Sequence, residues 1–130
     1  RLDGRGGHAA RPHQAADPLG AAAQLVNLLY TALPRSNDVH EPVVFTLGEF
    51  HAGHSPNVIP ETAVLRGTLR TMDRLVRRQT RRTIARLCEG LGETLGVEIT
   101  VLFEEGPPSV DNSREHADIL SIAAMGVVGA

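Results

Sequence analysis

Two stretches of helical period alternate with stretches of strand period, and their order leaves few folds open to the chain. Asp17-Pro18 starts the first helix, since Asp is a good N-cap and Pro suits the first helical position. Leu19, Ala22, Val26, Leu29 and Leu33 then recur at three and four, and Leu25 and Leu28 widen that face. Pro34 is expected to stop the helix, leaving Arg35 to Pro42 as polar loop. Val43 to Phe50 alternates as a strand, with Val43, Phe45 and Leu47 on one side and Val44, Thr46 and Gly48 on the other. Pro56 and Pro60 punctuate the loop that follows. Thr62 to Thr71 is another strand, with Ala63, Leu65, Gly67 and Leu69 on one face and Thr68 and Arg70 on the other. Asp73 can cap a second helix carrying Val76, Ile84, Leu87, Cys88, Leu91 and Leu95, which Gly96 ends. Val97 to Phe103 reads as a last strand, and Arg1 to Asp3 as the end of a first.

The order β-α-β-β-α-β predicts an α+β, ferredoxin-like sandwich: a four-stranded antiparallel sheet with two helices on one face. Residues 1–106 would hold this unit. Residues 107–130 read as a linker and the start of a further helix, capped by Ser113 or Asn112 and running through Met125 into a neighbouring domain. A length of 130 residues fits one domain with a modest core. The chain opens on Arg1 rather than a start methionine, so a piece of a longer protein is the expectation.

Composition removes several classes of function. A net charge of −2 predicts no polyanion partner, and three Phe, one Tyr and no Trp leave little to stack on bases. A single cysteine, Cys88, excludes an internal disulfide and a multi-cysteine zinc site. No apolar run approaches the roughly 20 residues that span a membrane, and the expected location is the cytoplasm. No Gly-x-Ser-x-Gly, phosphate-binding loop or dinucleotide fingerprint is present.

Chemistry concentrates in two segments, Gly4-Arg5-Gly6-Gly7-His8-Ala9-Ala10-Arg11-Pro12-His13 and Ala52-Gly53-His54-Ser55-Pro56-Asn57-Val58-Ile59-Pro60, the second running on to Gly67-Thr68-Leu69-Arg70-Thr71. His8 follows two glycines that let the backbone turn tightly. A neutral imidazole N–H or an imidazolium there can donate to a developing oxyanion. The alternative is a loop histidine that caps a nearby carbonyl. Asn57 can hold a carboxylate or an amide, or close a turn on its own backbone. Arg70 carries the planar fork suited to a carboxylate, or is an exposed surface arginine. None of the three is a nucleophile. His51 and His54 invite a metal reading, as does His40-Glu41, but Gly53 and Pro56 argue against a helix there and a third ligand is not obvious, so no metal site is expected in this chain. Cys88 lies on an apolar helix face and reads as core.

At these residues the chain resembles the lid, or dimerisation, domain of the dinuclear-zinc amidohydrolases and exopeptidases of metallopeptidase family twenty. That family includes aminoacylases, glutamate carboxypeptidase and hippurate hydrolase. Gly4 to Ala10 with Pro12-His13 and Asp17-Pro18 is most similar to the hippurate hydrolase and auxin-conjugate hydrolase branch, and Asn57-Val58-Ile59-Pro60 followed by Gly67-Thr68-Leu69-Arg70 strengthens the match. The resemblance implies an enzyme that hydrolyses N-acyl amino acids or related amides. Its two divalent metal ions, zinc by expectation, would lie in a catalytic domain outside this chain, and this chain alone would be inactive. It implies that His8 is the lid histidine that steadies the tetrahedral oxyanion in the partner subunit's active site. Asn57 and Arg70 would bind the substrate, Arg70 by its carboxylate. His13, His51 and His54 receive no role.

The resemblance also implies a homodimer through lid domains. In a ferredoxin-like order the second strand lies at a sheet edge, and Val43 to Phe50 is apolar and lacks a protecting lysine or internal proline. A different reading of the same fold is a stand-alone regulatory module binding a small amino acid at a dimer interface. A ferredoxin-like RNA binder is disfavoured by the lack of sheet-face aromatics and of net positive charge.

Overall fold

A computed structural model describes residues 1–129. Strand β1 (Leu2–Asp3) leads into a short strand β2 (Gly7–His8) and a single 3₁₀ turn at Pro12–Gln14. Helix α1 (Pro18–Ser36), strands β3 (Val43–Ala52), β4 (Val58–Ile59) and β5 (Thr62–Thr71), helix α2 (Arg74–Leu95), strand β6 (Glu98–Ile99) and helix α3 (Arg114–Val128) follow. The main sheet runs β3-β5-β1-β6 with antiparallel neighbours, the ferredoxin-like order, and β3 is an edge.

Both packed helices begin where their caps stand. The Asp17 carboxylate accepts from Leu19 N at 2.9 Å, and that of Asp73 accepts from Leu75 N and Val76 N at 2.6 and 2.9 Å. Each satisfies donors that a first turn leaves without intrahelical partners. Helix α2 ends at Gly96, whose φ of +66° turns the chain left-handed. The core lies between the helices and the sheet: Leu25, Leu29 and Leu33 of α1, Ile84 and Cys88 of α2, and Leu2 and Ala63 from the central strands are all buried. Leu33 is 2 % exposed, a burial that contributes on the order of 1.5–3 kcal/mol.

Three details depart from the expected pattern. Pro34 does not stop α1, which continues to Ser36. Pro34 forfeits one donor, but Ser36 Oγ and Asn37 Nδ2 both donate to the Leu33 carbonyl, at 3.1 and 2.8 Å, and Thr80 Oγ1 ties Asn37 to α2 at 2.9 Å. The last strand is Glu98–Ile99 rather than Val97 to Phe103. Arg1 and Thr100 exchange backbone hydrogen bonds of 2.9 Å, which continue this pairing by one residue among the described residues. Phe103 instead lies under the Arg81 guanidinium, 5.2 Å from ring centroid to carbon. Finally, the alternation of β3 breaks. Leu47 stands opposite Gly67 but Glu49 stands opposite Arg66, so Gly48 is the extra residue of a β-bulge. Gly67 is needed at this point, because a Cβ there would collide with the Thr46 carbonyl oxygen and lie 3.1 Å from Leu47 Cα.

Beyond the sheet, residues 100–113 carry no helix or strand, and α3 follows with Ser113 as its cap. Every residue of α3 is exposed, including Ile119, Leu120, Ile122 and Met125. No helix of the described residues is long and apolar enough to cross a membrane.

Candidate functional site

The two segments singled out in the sequence meet. Strand β2 pairs with β4, placing Gly7 opposite Ile59 and His8 opposite Val58, and Ala9 N donates to the Asn57 carbonyl at 3.0 Å. Such close approach requires Gly6, whose Cβ would stand 2.7 Å from the Ile59 carbonyl oxygen and 2.8 Å from Glu61 Cγ. His8 and Asn57 therefore sit on adjacent turns at one corner of the molecule.

Hydrogen bonding fixes what each presents. The Ala10 backbone N–H donates to His8 Nδ1 at 3.1 Å. A backbone amide can only donate, so Nδ1 is the acceptor and the proton of the neutral ring is on Nε2. The exposed ring thus offers its Nε2–H outward. Ser55 Oγ donates to Asn57 Oδ1 at 2.6 Å, which directs the Asn57 NH₂ group towards solvent. Next to His8 is an open hollow of about 560 Å³, lined by Gly6, Gly7, His8, Ala10, Arg11 and Gln14. No carboxylate lines it, so the corner is a set of donors suited to an anion or a developing oxyanion.

Arg70 lies elsewhere. It is exposed on the sheet face away from the helices, opposite Val44, near the far end of β5. The strand rise puts it about 26 Å from Thr62, where β5 leaves the His8–Asn57 corner. Among the described residues no carboxylate pairs with it. One copy of the chain therefore does not bring Arg70 to His8 and Asn57.

Two of the remaining histidines have a carboxylate close by. His51 Nε2 stands 3.4 Å from Glu49, which also meets Arg66 at 3.2 Å, and His40 pairs with Asp38 in an exposed loop. The backbone and then the side chain of His40 lower the Asp38 pKa. Among the described residues no three His, Cys, Asp or Glu side chains group to hold a metal ion. Burial pushes the Cys88 thiol up, away from the thiolate a nucleophile needs. Sequence reasoning passed over Ser55, although Ser-Pro-Asn is a turn signal in which a hydroxyl two residues ahead can bond the amide. It also passed over Tyr30, whose hydroxyl accepts from Leu47 N at 2.8 Å at the free edge of β3.

The family model described as the peptidase dimerisation domain matches residues 1–94. The chain belongs to the peptidase dimerisation domain family. Among relatives of this dimerisation domain, N-acetyldiaminopimelate deacetylase of Streptococcus sanguinis is 39% identical over 118 residues, which cover 90% of this chain and 31% of the relative. Hippurate hydrolase of Campylobacter jejuni is 32% identical over 126 residues, 97% of this chain and 33% of the relative. The chain thus spans about a third of the length of these curated relatives. A crystal structure of a candidate aminohydrolase from methicillin-resistant Staphylococcus aureus superposes with a TM-score of 0.81 at 27% identity, covering 98% of this chain and 33% of that one. Deacetylase and hydrolase relatives do not favour a stand-alone regulatory module.

Proposed function

We propose that this dimerisation domain, residues 1–106, is the substrate-covering lid of a metal-dependent amidohydrolase that cleaves N-acyl amino acids or related amides. The deacetylase and hippurate hydrolase names of its relatives support the reaction class. The observation that carries the roles is the pair of pinned donors: His8 offers Nε2–H because Nδ1 is occupied, and Asn57 offers its NH₂ because Oδ1 is occupied. His8 would steady the oxyanion of the tetrahedral intermediate, Asn57 would hold the substrate, and Arg70 would take its carboxylate. The described residues hold no metal cluster and no activated nucleophile. Two divalent ions, zinc by expectation, would belong to a catalytic part of the parent enzyme, reached through residues 107–130. The isolated chain would be inactive. The lone cysteine is buried and free, which suits a reducing compartment and a cytoplasmic enzyme.

The distance between Arg70 and the His8–Asn57 corner supports a homodimer in which one copy's corner completes the other copy's site. Antiparallel pairing of two β3 edges turns the Phe50 end of one strand towards the Val43 end of the other. That carries the second copy's Asn57 loop towards Arg70. The test is His8→Ala in the metal-loaded full-length enzyme, assayed on N-acyl amino acids. Loss of one oxyanion donor should lower kcat about 10²- to 10³-fold, and an unchanged kcat would remove His8 from the mechanism.

A further inference from the structure

The outer face of α2 carries its charges in an order that disfavours the helix on its own. Arg74, Arg78, Arg82 and Arg86 recur at every fourth position and are all exposed, and Glu89 and Glu93 follow them, also exposed. The first turn of α2 holds no acidic residue and the last turn no basic one. The helix dipole favours the opposite order, and arginines four apart repel one another. Among the described residues, none of these side chains pairs with an opposite charge. Helix α2 packs over β5 and β6 while α1 takes the β3 side, so this face stands away from the β3 edge.

A second copy turned antiparallel resolves the order. About a two-fold axis level with the Leu87–Cys88 peptide, Arg82 meets Glu93 of the second copy and Arg86 meets Glu89 of the second copy. The symmetry repeats both contacts. At about 3.6 residues per turn, Arg82 and Glu93 stand about 20° apart and Arg86 and Glu89 about 60° apart, centred on one line down the outer face. Each arginine half then lies on the glutamate half of the other helix, at its negative pole. Gly90 gives an independent reason. It is exposed in the interior of α2, nothing in its own copy lies within 4 Å of where a Cβ would be, and a glycine there weakens the helix. In the antiparallel pair it falls opposite the exposed Ala85 of the second copy, so two small residues flank the charged contacts and let the backbones approach.

We propose that the outer face of α2 is an interaction surface for the same face of a second copy, joined antiparallel through Arg82–Glu93 and Arg86–Glu89 contacts. A foreign acidic segment would engage the arginines and leave Glu89 and Glu93 facing like charge, whereas a second copy uses both signs in the order in which they occur. The inference goes beyond the lid reading: it uses neither β3 nor the His8–Asn57 corner, and it links one lid dimer to the next.

The experiment is sedimentation velocity of the full-length protein over a concentration series at low salt. The wild type should show an association step that is lost near 1 M salt, where the Debye length is about 3 Å. Arg82→Glu alone and Glu93→Arg alone each set like charges together twice, and each should weaken that step about tenfold. The double variant Arg82→Glu with Glu93→Arg exchanges the signs within each contact and should restore it. The lid dimer uses none of these side chains and should be unchanged in all three variants, which separates failure here from failure of the lid reading. A wild type with no salt-sensitive step would overturn the proposal and leave the arginine face to solvent or to an acidic partner. A step that survives both single variants would overturn it as well. Single variants that both weaken the step, with no recovery in the double variant, would overturn the pairing of Arg82 with Glu93.

Discussion

His8 and Asn57 owe their chemistry to bonds made behind them. An imidazole with a free Nδ1 could present either tautomer, and an unheld amide could present either oxygen or nitrogen. The Ala10 N–H and the Ser55 hydroxyl remove that freedom, so both side chains are donors before a ligand arrives. Preorganised donors need no reorientation as charge develops. Ser55 touches no substrate in this reading, so its removal probes orientation alone. Ser55→Ala should leave the fold intact and release the Asn57 amide. KM for N-acyl amino acids should rise about two- to tenfold, the worth of one neutral hydrogen bond, and an additional Asn57→Ala should then add less than it does in the wild type. Equal, additive effects would mean that Ser55 does not act through Asn57.

At the scale of elements, the helices and the strand order were legible and the irregularities were not. Asp17-Pro18 and Asp73 are caps with a physical signature, and the apolar spacing behind them matches the faces that are buried. The bulge had no such signature. Val43 to Phe50 alternates well enough to hide one extra residue, and Gly48 has neither a positive φ nor a close neighbour to announce it. The signal lay on the other strand, in Gly67, which lets the bulged backbone approach. Gly67→Ala should therefore destabilise the fold by about 1–3 kcal/mol, as overpacking does, seen as a lower urea midpoint, whereas Gly48→Ala should cost far less. The meeting of the two glycine- and proline-shaped turns was also hidden, because the partners of a two-residue ladder cannot be read from spacing. Side chains hold the segment after β6, which was expected to continue as strand: Arg81 bonds Glu105 and covers Phe103, and Ser109 Oγ donates to the Met72 carbonyl at 3.1 Å. The hydrogen bond and charge of Arg81 lower the Glu105 pKa. A carboxylate lowered on docking contributes fully above its ordinary value near 4.5 and loses that contribution as pH falls through the lowered one. Phe103 ring resonances should therefore hold docked shifts at neutral pH and move towards free values in acid. A flat profile down to pH 2 would show that Arg81 and Glu105 do not hold the segment.

At the scale of the molecule, the separation of Arg70 from His8 turns assembly and catalysis into a single question. Two routes could bring them to one substrate: a large bend of the sheet within one copy, or the use of two copies. The sheet is continuous from β3 to β6 and its core is closed by both helices, so a bend would break the packing of Leu2 and Ala63. Two copies need no such break. They also predict a result that a single-copy site cannot give. Full-length His8→Ala has Arg70 but no His8 in either site, and Arg70→Ala has the reverse, so each homodimer should be poorly active. In a mixed dimer, one site receives Arg70 from the first variant and His8 from the second, and is whole; the other site lacks both. Equal amounts unfolded and refolded together should yield half mixed dimers, each with one working site, and recover about a quarter of wild-type activity. Recovery should fail when either variant also carries a change that prevents β3 pairing. If the mixture stays as inactive as its components while mixed dimers are present, Arg70 and His8 serve the same copy and the shared site is wrong.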